Sequence, residues 1–176
     1  MAIAPVDIYV LCGLAARDAP SEGWTQRSLA ERLGIPLASV HRALRSAAGS
    51  QLYDPTRKSV QRAALEALLV HAAPYVLPPR RLGLTVGMRT ADAAPVLARR
   101  IRTAGADLPL VWPQAEGVRG EGLEPLHAAA PAAAARDSEL YALLALVDAL
   151  RTGTARVRGI AGELLADRLR SGAPAS

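Results

Sequence analysis

Residues 25–46 read TQRSLAERLGIPLASVHRALRS and contain two short helix-like runs separated by Gly34, Ile35 and Pro36. Thr25 has a side chain suited to a helix N-cap, and Gly34 stands where helices often end in a left-handed residue. The second run, from Leu37 to about Ala48, places its apolar residues on one face: Leu37, Val40, Ala43 and Leu44. The stretch therefore predicts two packed helices joined by a tight turn.

The opposite face of the second helix is polar and basic, with Ser39, His41, Arg42, Arg45 and Ser46. Residues 25–62 carry seven basic and two acidic side chains, so their charge equals the net +5 of the whole chain. The basic residues are Arg27, Arg32, Arg42, Arg45, Arg57, Lys58 and Arg62. A basic excess confined to one segment favours a polyanionic partner, because neutralised phosphates release condensed counterions. A solvated basic helix face is the simpler alternative.

Further elements flank this pair. Residues 5–18, PVDIYVLCGLAARD, have the apolar spacing of a mostly buried helix, and residues 51–61 predict a small hairpin with PTRKS as its turn. A helix from Arg62 to Ala72 follows, and then YVLPP, residues 75–79, predicts a short strand. The predicted order is three helices, a hairpin and a fourth helix.

Residues Gln26 to Arg45 resemble the twenty-residue helix-turn-helix pattern of bacterial transcription factors. Ala30 occupies the fifth place, where the second helix crosses closely, and Gly34 occupies the ninth, where the chain turns sharply. The apolar places hold Leu29, Leu33, Ile35, Val40 and Ala43. With the hairpin, the resemblance extends to winged helix-turn-helix regulators of the MarR-like kind and covers roughly residues 5–78. It implies a winged helix-turn-helix domain at residues 1–82. Together with the C-terminal patterns described below, the predicted fold is mainly α with small β, in which this domain is followed by an α+β region at residues 83–176 that ends in two helices.

The resemblance also implies double-stranded DNA as the partner, with a recognition helix in the major groove and a wing on the backbone or minor groove. Arg42 and Arg45 are the candidates for guanine contacts. The full set of candidate DNA-binding residues is Thr25, Gln26, Arg27, Pro36, Ala38, Ser39, His41, Arg42, Arg45, Ser46, Arg57 and Lys58. The implied role is a bacterial transcriptional regulator, most simply a repressor.

The C-terminal half holds APVLARRIRTAG, residues 94–105, which predicts a helix, and then LPLVWP and GLEPLH, two candidate strands at residues 108–113 and 122–127. The run from Ser138 to Arg151 is apolar on nearly every side, and an amphipathic run follows it. Because such a helix must be covered all round, we interpret these two helices as a homodimerisation element, or else as a closed second core within one chain. A dimer would set two recognition helices about 34 Å apart, as a pseudo-palindromic site needs.

Other functions have weaker signals. No metal-ligand spacing joins the three histidines, and no nucleophile elbow, Walker A or dinucleotide motif occurs, so neither catalysis nor a cofactor is expected. A single cysteine, Cys12, and the absence of a signal peptide or membrane span predict a cytoplasmic protein. The rival functions are a winged-helix protein–protein adaptor and a DNA-binding module without operator specificity. A sensor of an unidentified effector is a third, with Trp112, Tyr141 and the prolines around Val111 lining a pocket.

Overall fold

A computed structural model describes residues 2–16, 23–101 and 108–171. The chain is mainly helical with two small sheets. Its helices are α1 Pro5–Ala15, α2 Gln26–Leu33, α3 Leu37–Gly49, α4 Arg62–Val76, α5 Pro95–Ala98, α6 Ala130–Ala134, α7 Ser138–Thr152 and α8 Ala155–Ser171. Its strands are β1 Tyr53–Asp54, β2 Ser59–Val60, β3 Arg81–Arg89, β4 Leu110–Pro113 and β5 Val118–Leu123. Within those described ranges, no helix has the length and apolar character needed to cross a membrane.

Helix α1 lies in the centre of the N-terminal part and is buried from Asp7 to Ala15. Pro5 begins it, where a missing amide hydrogen costs nothing, and the Asp7 carboxylate accepts a hydrogen bond from the Ala4 amide at 2.9 Å. Gly13 permits the close approach of α2, since an added Cβ would lie 2.6 Å from Leu33 Cδ2. The residue types of α1 thus suit a helix that is packed on all sides.

Helices α2 and α3 are fixed at their mutual angle by local geometry and by α1. Thr25 and Ser28 form a reciprocal capping box at the start of α2. Gly34 ends the helix with a φ of +66°, the left-handed conformation that glycine adopts without steric cost. The Tyr9 hydroxyl of α1 donates to the Leu33 carbonyl at 2.8 Å, which satisfies one of the last carbonyls of α2.

Strands β3, β4 and β5 form a very tight module in which each strand pairs with the other two. β3 is antiparallel to both neighbours, and β4 runs parallel to β5. Glycines permit this closure: a Cβ on Gly87 would lie 1.9 Å from the Trp112 carbonyl oxygen, and one on Gly120 would lie 2.2 Å from that of Pro109. Little room is left for side chains between the strands, where Val111 Cγ1 would lie 2.8 Å from a Cβ on Gly120.

Helix α7 is almost completely buried, and its cover comes from its own chain. It contacts α1, α4, α5, α6, α8 and the 3-10 turn Ala91–Ala93. One continuous cluster of buried side chains includes Leu11 of α1, Leu69 of α4, Leu146 of α7 and Leu165 of α8. The core therefore extends across residue 82, the predicted domain boundary. The apolar surface that suggested dimerisation through the C-terminal helices is already covered within one chain.

Three predicted elements differ in the structure. YVLPP is not a strand at its start, because α4 continues through Pro74 to Val76. In residues 94–105 only Pro95–Ala98 is α-helical among the described positions, and residues 102–105 lie outside them. GLEPLH is not a strand of its own, since β5 begins at Val118 and ends at Leu123. Prolines and glycines therefore did not predict where these three elements begin and end.

Candidate nucleic-acid interface

Helix α3 has one face locked into the core and one face open to solvent. Its buried side chains are Val40, Ala43, Leu44, Ser46 and Ala47. Its outward residues are Ala38, His41, Arg42 and Arg45, all of which are exposed. Leu37, predicted on the apolar face, is instead 42% exposed at the first position of the helix. This division follows the helical period of the sequence, so the backbone under the outward residues is held rigidly while their side chains are accessible.

Arg42 and Arg45 have no carboxylate within ion-pair distance among the described residues. His41 lies between two other polar side chains of the face. Its Nδ1 is 3.4 Å from Gln26 Oε1, and its Nε2 is 3.5 Å from Arg45 Nη2. These long contacts join α2 to α3 across the surface and leave the donors of Arg42 available.

Ser46 is not part of this face, which corrects the sequence prediction. It is 6% exposed, and its hydroxyl donates to Asp7 Oδ2 at 2.9 Å. The helical period puts position 46 at the border of the two faces, and the carboxylate of α1 draws the hydroxyl inward. Ser39, by contrast, lies half-buried at the first turn of α3.

The start of α2 and the start of α3 lie at the sides of the outward face. Arg27, Pro36 and Ala38 are exposed there, and Gln26 is half-buried. The Thr25 hydroxyl accepts from the Ser28 amide at 3.0 Å, so this oxygen serves the helix cap. The first amides of α3, those of Leu37 and Ala38, point out of its N-terminus and favour an anionic group such as a phosphate. Pro36 has no amide hydrogen, so it can only lie beside that group.

Two of the seven basic residues in the basic segment serve the fold instead of the surface. Arg32 donates to the Gly13 carbonyl and pairs with Asp137 at 3.5 Å. Arg62 donates to the carbonyls of Leu169 and Ala15, both at 3.2 Å. The exposed basic residues of the segment are therefore Arg27, Arg42, Arg45, Arg57 and Lys58.

The β1–β2 hairpin carries the last two of these residues at its tip. Asp54 Oδ1 accepts from the amides of Thr56 and Arg57 at 2.9 and 3.1 Å, which forms an Asx-type turn. Lys58 has a φ of +50°, a left-handed conformation that is costly for a residue with a Cβ. The tip is thus tightly folded and its side chains point into solvent.

Trp24 fixes the hairpin tip relative to α2, a role that sequence reasoning missed. Its indole Nε1 donates to the Lys58 carbonyl at 3.3 Å. The available signal was a tryptophan standing alone in the polar sequence SEGW, next to the Thr25 cap. Large aromatic side chains with a polar group often join two surface elements in this way.

The expected effector pocket takes a different form. Trp112 is buried, and its Nε1 donates to Asp148 Oδ2 at 2.7 Å, as does the Thr90 hydroxyl. Burial raises the pKa of the Asp148 carboxyl, against the opposing effects of Arg151 and of these hydrogen bonds. Tyr141 alone of the predicted pair lines a cavity of about 460 Å³, together with residues that include Arg99, Glu139 and Arg168. Trp112 is therefore a core residue.

No family model, curated protein or solved structure matches the chain. In the part of the chain that the structure describes, no group of three or more side chains could hold a metal ion. The chemistry available to the outward face is that of exposed guanidinium, ammonium, imidazole and amide groups on a rigid support. Such groups recognise anions and hydrogen-bond acceptors.

Proposed function

We propose that residues 5–78 form a winged helix-turn-helix domain that binds double-stranded DNA, and that the protein is a transcriptional regulator, most simply a repressor that blocks a promoter. In this proposal α3 enters the major groove and the β1–β2 hairpin contacts the backbone or the minor groove. Phosphate contacts from Arg27 and the first turn of α3 set the register.

One observation supports the proposal above the others. The exposed basic residues of the segment lie on three neighbouring elements, α2, α3 and the hairpin, while the opposite face of α3 is locked to α1. Arg42 and Arg45 extend from the middle of α3, where a helix in the major groove meets base edges. Arg27 near the start of α2 and Lys58 at the hairpin tip are exposed on neighbouring elements, where they can contact backbone phosphates.

Fluorescence anisotropy with the full chain tests the proposal. The probes are labelled duplexes from the DNA upstream of the protein's own coding sequence, measured over a salt series with random duplex as competitor. We expect tighter binding to one duplex than to the competitor and a linear fall of log K with log salt. Arg42→Ala should weaken binding, while Arg156→Ala, an exposed arginine on α8, should leave affinity unchanged.

Equal affinity for every duplex would reduce the proposal to a DNA-binding module without operator specificity. No binding at low salt would contradict DNA recognition and favour a protein–protein adaptor. Loss of binding in Arg156→Ala equal to that in Arg42→Ala would show a diffuse charge effect, in which α3 has no special part.

A further inference from the structure

The exposed large apolar side chains of the described residues are concentrated in one part of the chain. Seven are exposed, and five of them fall within residues 75–86. These five are Tyr75, Val76, Leu82, Leu84 and Val86. Leu84 and Val86 lie on β3 at alternating positions, where side chains point to the same face of a strand. Leu82 stands at the β-bulge between Arg81 and Gly83, where this alternation is interrupted. Leu84 is the most exposed of the β3 side chains in this group, at 62%.

The outward side chains of the β3–β4–β5 module have two different environments. Leu110 and Trp112 of β4 are buried, and Leu123 at the end of β5 is fully buried. The row made by Leu84 and Val86 of β3 is left uncovered.

Charged residues of β5 stand directly beside this row. In the antiparallel register Leu84 is opposite Glu121, and Val86 is opposite Arg119, so each pair shares a face. Arg81 pairs with Glu121 at 2.9 Å, which fixes the carboxylate beside the apolar row. Arg119 is exposed, and no carboxylate of the described residues lies within ion-pair distance of it.

This face is self-complementary. Two copies can pack face to face around a two-fold axis that lies in the interface and runs perpendicular to the strands. The β3 strand of one copy then runs antiparallel to the β3 strand of the other. Apolar row then meets apolar row, while position 119 of each copy faces position 121 of the other, with opposite charges. An isologous interface requires this kind of self-complementary patch. A row of a single sign would instead repel its copy.

We propose that the chain forms a two-fold dimer through the face made by Leu84, Val86, Arg119 and Glu121. The proposal assigns the dimer contact to β3 and β5, not to the C-terminal helices, whose apolar surface is covered within one chain. It does not depend on DNA binding, and it is tested without DNA.

Sedimentation of the full chain over a concentration series is the first measurement. The wild type should sediment as a dimer, and Leu84→Asp should raise the dimer dissociation constant by about a hundredfold, since it buries an unpaired charge in the interface. Leu37→Asp is the matched control: Leu37 is 42% exposed and stands at the start of α3, on a different element from the face. This variant should sediment as the wild type does. Circular dichroism checks that each variant is folded.

Charge reversal tests the two-fold arrangement and does not rely on an apolar substitution. Arg119→Glu alone and Glu121→Arg alone each place like charges across the axis, so each should weaken the dimer by about tenfold. A mixture of the two variants should form heterodimers with wild-type affinity, because every cross-axis pair is then opposite in charge.

Three results would overturn the proposal: a wild type that is monomeric at every concentration, a Leu84→Asp variant that still sediments as a dimer, or a mixture of charge variants that is no tighter than either alone. The DNA-binding proposal would stand after any of them, because a monomer can bind a half-site. A failed anisotropy experiment would likewise leave the dimer intact.

Discussion

At the scale of single residues, the proposed binding mode places Arg45 beside a base. It is exposed on the outward face of α3, one turn after His41, whose Nε2 lies 3.5 Å from it. We expect Arg45→Ala to weaken binding to the preferred duplex by about 1–3 kcal/mol, because a bidentate arginine contact to guanine is lost. Preference should relax at one base pair only, measured by anisotropy against duplexes with single substitutions.

The control for this prediction is Arg156→Ala, which removes the same charge from α8. If Arg45→Ala weakened all duplexes equally, Arg45 would be a phosphate contact and the base assignment would move to Arg42. Unchanged affinity would remove Arg45 from the interface altogether.

Ser46 and Ser39 form a matched pair on one helix with opposite expectations. Ser46→Ala should lower the free energy of unfolding by about 1–3 kcal/mol, because the buried Asp7 carboxylate loses a hydrogen bond. Ser39→Ala should change that free energy by less than about 0.5 kcal/mol, since its side chain is half-buried and outside the core. Urea denaturation measures both.

DNA affinity should be unaffected by Ser46→Ala at temperatures where the protein is folded. A stable Ser46→Ala protein with weakened DNA binding would restore the sequence prediction that this serine belongs to the interface.

Residues whose role depends on near neighbours in the chain could be predicted, and those with distant partners could not. The role of Gly34 is predicted by the turn that directly follows α2, and the role of Thr25 by Ser28, its capping partner three residues later. Ser46 depends on Asp7, 39 residues away, and the Arg62 guanidinium depends on the Leu169 carbonyl, 107 residues away. Such partners are determined by tertiary packing, on which local periodicity carries no information.

At the scale of elements, the proposed binding mode gives the hairpin a different role from that of α3, which is to contact phosphates and not bases. We expect Lys58→Ala to weaken all duplexes alike and to lower the salt slope by about one, because one phosphate contact is lost. Lys58→Gly is the informative companion, since it removes the same ammonium group but suits the φ of +50° at this position. Anisotropy over a salt series measures both variants.

If the charge alone matters, the two Lys58 variants should bind DNA equally, with Lys58→Gly the more stable protein. A salt slope unchanged in both would show that the hairpin tip does not reach the phosphates. Binding retained in Lys58→Gly but lost in Lys58→Ala would instead assign the effect to the conformation of the tip.

Elements were predictable where the apolar residues follow one period and capping residues mark the ends of the helix, as in α2 and α3. The hairpin was predictable from its turn residues. The β3–β4–β5 module was not, because its closure rests on backbone contacts at Gly87 and Gly120, for which side-chain patterns carry no signal. Helix α4 passes Pro74 because this proline stands in its last turn, where helix packing outweighs the loss of one amide.

At the scale of the whole molecule, the same buried cluster joins α1, α2 and α3 to the C-terminal helices. Helix α1 contacts α2 and α3 on one side and α7 on another. The all-apolar pattern of α7 predicted that it must be covered, but it could not say by which surface. A helix that is buried by a partner subunit needs the same apolar residues as a helix that is buried by its own chain.

A shared core predicts that Cys12 can be modified only when the whole molecule unfolds. Cys12 is fully buried in α1, and burial, with a smaller effect of Asp148, raises the pKa of its thiol to about 12. Since the thiolate is the reactive form, a thiol reagent at pH 8 should react with Cys12 only through unfolded molecules.

Leu29→Ala in α2 and Leu146→Ala in α7 should each accelerate labelling by about 30-fold or more, in proportion to the stability each loses. Glu163→Ala, on the exposed face of α8, should leave the rate unchanged. If residues 1–82 opened as a separate unit, Leu29→Ala alone would accelerate the reaction, because α7 would contribute nothing to the stability of α1.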